Sequence, residues 1–172
     1  EPDADFEAMR TSQITKVGEN IQIGRKETLE VEGSGLVAAY IHTGAKVGVL
    51  AEVGATKDGT VHHESFKSLV KDITLQIAAA NPSTVSREQV DPALVAKQKE
   101  IATEQFKDKP AQAVEKIVEG KMEKFYQGIC LVDQGFVKNG ELTVKEHLAA
   151  VGKEIGDELS IRRFLRFQVG EG

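Results

Sequence analysis

The 172-residue chain carries 22 Lys and Arg against 27 Asp and Glu, and a net charge of −5 argues against nucleic acid as a direct partner. Its 40% hydrophobic and 28% charged content is that of an ordinary globular protein, and no apolar run approaches the ~18–20 residues of a membrane span. The single cysteine, Cys130, excludes an internal disulfide and a multi-cysteine zinc site, reads as a small buried apolar residue, and fits a reducing compartment.

The chain opens at Glu1 without a Met or a charged-then-apolar leader, as expected of a fragment or a processed product. Phe6, Met9, Arg10, Gln13 and Val17 recur at roughly helical spacing, predicting a short helix from about Asp3 to Lys16 that stops at Gly18. From Ile21 to Glu32 the apolar residues Ile21, Ile23, Leu29 and Val31 all fall on odd positions, which predicts a half-buried strand. Gly33-Ser34-Gly35 is a turn; it leads into a strand, whereas phosphate-cradling loops lead into a helix N-terminus.

Leu36–His42 and Lys46–Val53 are β-rich runs joined by Thr43-Gly44-Ala45, the spacing of a hairpin. With the 21–32 segment they predict a three-stranded antiparallel meander. A polar loop from Gly54 to Val61 precedes Phe66, Leu69, Val70, Ile73, Ile77 and Ala80, the stripe of an amphipathic helix that covers one sheet face and ends at Asn81-Pro82. Asp91-Pro92 opens a helix with Leu94, Val95, Ile101 and Ala102 among many charges. Lys109-Pro110 opens another, striped by Val114, Ile117, Val118, Lys121, Met122 and Phe125. Two narrow-striped helices with a tight connection predict an antiparallel hairpin over about 91–127, though two ordinary covering helices fit the same pattern. Thr143 to Gly156 repeats the helix-then-glycine signal, and Leu159–Val169 is a further strand.

An internal echo follows. Val17–Arg25 aligns with Ile155–Arg163, and Leu29 and Val31 align with Phe167 and Val169 in the same register, which reads as the end of one module followed by a complete second one. The predicted division is residues 1–33, the tail of a first module that would begin before Glu1, and residues 34–172, the second module with the hairpin inserted. The fold class is α+β, a three- to four-stranded antiparallel sheet covered by helices.

Little in the sequence calls for catalysis, a metal or a cofactor. His62 and His63 are adjacent and point about 100° apart on a helix, so they cannot chelate one ion together. His147 has no sequence-local carboxylate or thiol and reads as a surface or edge histidine. Arg162-Arg163-Phe164-Leu165-Arg166-Phe167 reads as a strand with one solvated face. His42 ends a strand beside a glycine turn, where a polar aromatic side chain is presented on a rigid rim suited to partner contact.

Several segments resemble the translation elongation factor Ts family. Tyr40–Leu50 resembles its hairpin motif, Asp72–Pro82 its core helix and proline stop, and Lys109-Pro110 with Glu115–Phe125 its helical hairpin. Gln134–Lys138 and Arg163–Gly172 complete the series in order. The resemblance implies a protein that binds elongation factor Tu and accelerates GDP release, with no bond chemistry and no cofactor, in a bacterial cytoplasm or an organelle. It maps a Tu contact onto His42, with Gly44 and Lys46 shaping the rim. The family's Thr-Asp-Phe-Val wedge segment is absent from these residues. In the equivalent loop, Lys57-Asp58-Gly59-Thr60, Asp58 keeps a carboxylate while Gly59 has no ring, so a degenerate wedge and reduced exchange are expected. Two other readings stay open: self-association into a homodimer through the sheet or the hairpin, and a small-molecule enzyme using Asp58 and His62.

Overall fold

The fold is built around one long amphipathic helix and the sheet it covers. In the computed structural model, which describes residues 4–171, the elements run α1 Ala4–Val17, β1 Gly35–Ile41, β2 Val47–Ala55, α2 Glu64–Ala80, α3 Pro92–Gln105, α4 Ala111–Ile129, β3 Gly135–Phe136, β4 Asn139–Thr143, α5 Val144–Ile155 and β5 Leu159–Gln168. Residue Asp3, placed in the first predicted helix, lies outside the described residues.

On α2 the predicted stripe is the core: Phe66, Leu69, Val70, Ile73 and Ile77 are each at most 1% exposed, while Ala80 is exposed at the helix end. At ~1.5–3 kcal/mol per buried large apolar side chain, those five residues contribute on the order of 10 kcal/mol. They pack on Val49, Ala51 and Val53, the alternate residues of β2 that face the helix. Asn81 adopts φ 45° and ends the helix in the left-handed conformation. Helix α5 begins with a capping box between Thr143 and Glu146 and stops at Gly156, φ 77°.

The predicted α+β class holds, with one strand reassigned. The three-stranded antiparallel sheet has the order β1-β2-β5, so the third strand is Leu159–Gln168 and not the 21–32 segment. Residues 21–32 join no strand ladder. They are tied to the sheet by side chains: Arg163 donates to Glu30 O at 2.7 Å, Arg162 donates to Glu32 O, and the Glu32 amide donates to Glu52 Oε1 at 2.8 Å. Ile21 and Leu29 are half-buried, whereas Ile23 and Val31 stay exposed. A two-residue period reports which side of an extended segment is apolar; it does not supply a ladder partner.

Three smaller differences concern the connections. β2 runs on to Ala55, and the predicted polar loop contains a 3-10 turn, Asp58–His62. A short ribbon pairs β3 with β4, anchored by Phe136, which is buried. Helices α3 and α4 pack principally on one another, as the predicted hairpin requires, but only Val95 and Ala102 of the α3 pairs are sheltered; Leu94 and Ile101 remain exposed. The hairpin base is fixed by Arg87, which is bidentate to Glu123, bonds Asp133 and lies 4.6 Å over the Tyr126 ring. The hydrogen bonds it donates to Glu123 and then Asp133 raise its pKa above the ordinary value and outweigh the opposing effect of burial.

The sequence echo extends to the backbone at the two helix stops. Gly18 and Gly156 adopt φ 76° and 77°, and each donates its amide to the carbonyl four residues back, Ile14 or Gly152, at 2.8 Å. Only the second copy of the following strand joins the sheet.

Candidate functional site

The residues singled out in the sequence fall into two groups at opposite ends of β2. His42, Gly44 and Lys46 sit together in the β1–β2 turn, all exposed. The turn is closed by the His42 amide donating to Val47 O and the Ala45 amide donating to His42 O, both at 2.9 Å. Gly44 has φ 89° and Ala45 φ 53°, so the chain passes through the left-handed region at two successive residues. A side chain at Gly44 would have open space but a strained backbone. Lys46 O accepts from the Val169 amide at 2.8 Å, tying the turn to the end of β5.

His42 is held at the ring. Its Nδ1 lies 3.1 Å from the Tyr40 hydroxyl, and the ring centroids are 6.0 Å apart at 51°. Tyr40 is half-buried and packs against the core. Around this turn lie two apolar side chains in solvent, Ile41 at 70% and Val169 at 73% exposure. Nearby, Arg25 stacks 4.5 Å over Phe167, on the sheet face away from α2. Sequence reasoning missed Ile41 and Val169. Their signal is an apolar residue at a strand end on the side that α2 does not cover, legible only once the sheet's layering is known.

Asp58 and Gly59 lie in the 3-10 turn beyond the other end of β2, both exposed. Nine residues of β2 separate the two groups, which at ~3.3 Å per residue places them roughly 25 Å apart. A side chain at Gly59 would meet nothing within 4 Å. The loop is fixed by a carboxylate a hundred residues away. Asp157 accepts from the Thr56 amide at 3.2 Å, the Lys57 amide at 3.1 Å, the Thr60 hydroxyl at 2.5 Å and the Thr56 hydroxyl, while Lys57 Nζ donates to Gly156 O at 2.6 Å. Partial burial pushes the Asp157 carboxyl up; the hydrogen bonds from Thr56, Thr60, Lys57 and Glu158 outweigh it and hold the group well below the usual carboxylate range.

Glu52, 0% exposed, fastens the sheet to the 21–32 segment. It binds Arg162 at 2.9 Å, Arg163 at 2.7 Å and the Glu32 amide. Burial raises its pKa, but the Glu32 amide and the two guanidiniums together bring it below the ordinary value. Two successive arginines reach one carboxylate because β5 carries a bulge opposite Glu52/Val53, so that Arg162 is the extra residue. Within this strand Arg162 and Arg163 both clamp Glu52, Arg163 with its side chain still 44% exposed, while Arg166 is only 11% exposed at its side chain.

The remaining candidates separate cleanly. His62 and His63 are exposed, and Asp58 lies on an open turn. His147, read as a surface or edge histidine, is half-buried because it stacks on Phe136 at 4.2 Å with Nε2 3.8 Å from Asp72 of α2. Cys130 is buried and its thiol is pushed up by that burial. Among the described residues no group of three or more His, Cys, Asp or Glu could hold a metal ion, and no helix is long and apolar enough to cross a membrane.

Residues 1–171 match the family profile described as Elongation factor TS. The chain is similar to the elongation factor Ts of Alkaliphilus oremlandii, 48% identical over 149 residues, which is 86% of this chain and 68% of that protein. It is 47% identical to the Geotalea daltonii protein of the same name over 80% of this chain and 65% of that one. It is 39% identical to that of Nitratidesulfovibrio vulgaris strain DP4 over 92% of this chain and 56% of that one.

Proposed function

Since the chain belongs to the elongation factor Ts family, we propose that it serves translation elongation by docking on elongation factor Tu through the rim of His42, Gly44 and Lys46, and that the parent protein promotes GDP release. The observation that carries the reading is the rim itself. An exposed histidine stands on a turn fixed by three backbone hydrogen bonds, flanked by Ile41 and Val169, each about 70% exposed. Apolar side chains beside a rigid polar group are what a partner surface buries.

Exchange is a linkage effect. A partner that binds nucleotide-free Tu better than GDP-bound Tu weakens GDP by the same factor. In this reading residues 1–33 are the tail of a first module and residues 34–172 form the second, an assignment supported by the matching glycine stops at Gly18 and Gly156. The degenerate loop at Asp58 and Gly59 contributes no ring, so this chain binds Tu with little exchange activity of its own.

Calorimetric titration of elongation factor Tu with this chain, beside the His42→Ala variant, tests the proposal. Binding that weakens at least several-fold in the variant supports it. Undiminished binding in the variant would overturn the rim, and acceleration of GDP release equal to that of a full-length factor would overturn the reduced-exchange reading. A second reading, self-association through the hairpin, draws on Leu94 and Ile101, 39% and 41% exposed on α3; a concentration-independent monomer in sedimentation would remove it.

A further inference from the structure

We propose that Tyr40 is the positioning residue of the rim: its hydroxyl donates to Nδ1 of His42, which fixes the imidazole as the Nε2–H tautomer and aims that N–H at an oxygen acceptor on the partner. The inference rests on the docking role of His42 proposed above, and it adds the chemistry of the contact.

Tyr40 and His42 are two residues apart on one strand edge and so share a sheet face. Tyr40 follows Leu36 and Ala38 on the side that packs against the core, and all three touch the α2-covered cluster. Its ring is therefore anchored, whereas the His42 side chain, beyond the end of the helix-covered region, is exposed. An exposed imidazole with no partner samples several rotamers and both neutral tautomers. Here one ring nitrogen is occupied: the hydroxyl lies 3.1 Å from Nδ1, and the tilted rings, 51° apart, limit rotation further.

A phenol is a strong donor, and the neutral imidazole offers one lone pair. A hydroxyl donating to Nδ1 leaves the proton on Nε2, the nitrogen at the outer end of the ring. Lys46, three donors on a flexible stem, stands in the same turn. Both outward groups then present hydrogens, and the complementary patch on Tu presents oxygen. Pre-setting the ring spares the complex the ordering of one side chain and one tautomer, which lowers the cost of association.

The test uses the full 172-residue chain in two arms. In the first, nitrogen-15 NMR of the free chain reads the His42 tautomer in the wild type and in Tyr40→Phe, which keeps the core ring and removes only the hydroxyl. The wild type is expected to be predominantly Nε2–H, and the variant to shift to a mixture. In the second, calorimetry with elongation factor Tu is expected to give a loss of about three- to tenfold for Tyr40→Phe, the range of one net hydrogen bond. That loss should vanish in a His42→Ala background. His42→Gln, whose amide reaches the Nε2 position, should retain more affinity than His42→Asn, whose shorter amide sits at the Nδ1 position.

An unchanged tautomer in Tyr40→Phe, or a loss that persists undiminished without His42, would overturn the proposal and leave Tyr40 as core filling. If the wild type fails to bind Tu, the docking reading falls. The NMR arm then still decides whether Tyr40 sets the ring.

Discussion

Gly54→Ala is a substitution of one methyl group whose cost comes from a distant charge. A Cβ at Gly54 would fall 2.3 Å from Nε and 2.5 Å from Cζ of Arg162. The arginine is flexible and its side chain is 28% exposed, so it can swing into solvent without backbone strain. What it leaves behind is the ion pair to Glu52, a carboxylate with 0% exposure, and the carbonyls of Glu32 and Ser34. Arg163 and the Glu32 amide remain on Glu52 at 2.7 and 2.8 Å, which keeps the cost below the ~3–5 kcal/mol of orphaning a buried ion. A lost charge-assisted hydrogen bond is worth about 1.5–3 kcal/mol. The alanine returns about 0.4–1 kcal/mol by restricting the unfolded chain. The expected net loss is about 1–2.5 kcal/mol, a fall in Tm of roughly 3–8 °C for a protein of this size. Urea unfolding followed by circular dichroism would measure it in wild-type and Arg162→Ala backgrounds. Once the guanidinium is absent, Gly54→Ala should be neutral or slightly stabilising. Equal destabilisation in both backgrounds would refute the reasoning, since the glycine would then be needed for something other than the arginine.

Three further outcomes are expected. Thr143→Ala removes half of the capping box at α5 and should cost about 1 kcal/mol in chemical denaturation. For Asp157 the folded pKa lies below the unfolded value of about 3.9, so its stabilisation is fully present above that value and is lost as pH falls from there through the lower folded pKa. Acid unfolding of Asp157→Asn should accordingly start from a lower stability near neutrality and show a flatter decline below about pH 5. Gly59→Phe should fold as well as the wild type, because a Cβ there meets nothing within 4 Å. If a missing ring is what limits exchange, that variant should release labelled GDP from elongation factor Tu measurably faster than the wild-type chain; no acceleration at saturating concentration would place the limit elsewhere.

Much of the fold is legible in the sequence because its strongest elements carry their own punctuation. α2 has an unbroken apolar stripe and an Asn-Pro stop, and α5 has a Thr–Glu cap and a glycine end. The position of the β1–β2 turn is equally legible from Thr43-Gly44-Ala45. What escapes is set by long-range pairing. The 21–32 segment has the same two-residue period as a strand, yet β5 holds the place beside β2, and the two arginines of the bulge occupy carbonyls a further strand would need. The Asp157 hub is equally hidden, since its partners Thr56, Lys57 and Thr60 lie about a hundred positions away. Ile41 and Val169 look like ordinary strand residues until the sheet shows which face α2 covers.

The separation of the two loops bears on where an exchange factor's action can come from. On the proposed reading, the rim at His42 is rigid: its turn is hydrogen-bonded to β2 and β5, and its histidine is braced by a core tyrosine. A rigid surface that meets the same patch of Tu in both nucleotide states contributes affinity equally to each, and equal affinity moves no equilibrium. Acceleration of GDP release therefore requires a second contact that differs between the states. Within this chain the loop at Asp58 and Gly59 lies roughly 25 Å from the rim, at the other end of nine-residue β2. That is far enough to reach a different part of a partner and too far to share the rim's contact. The loop is itself immobilised by Asp157 and bears no side chain at Gly59. On that proposed reading the docking rim and the degenerate wedge loop lie at opposite ends of one strand, and a ring added at position 59 is the change that would couple them.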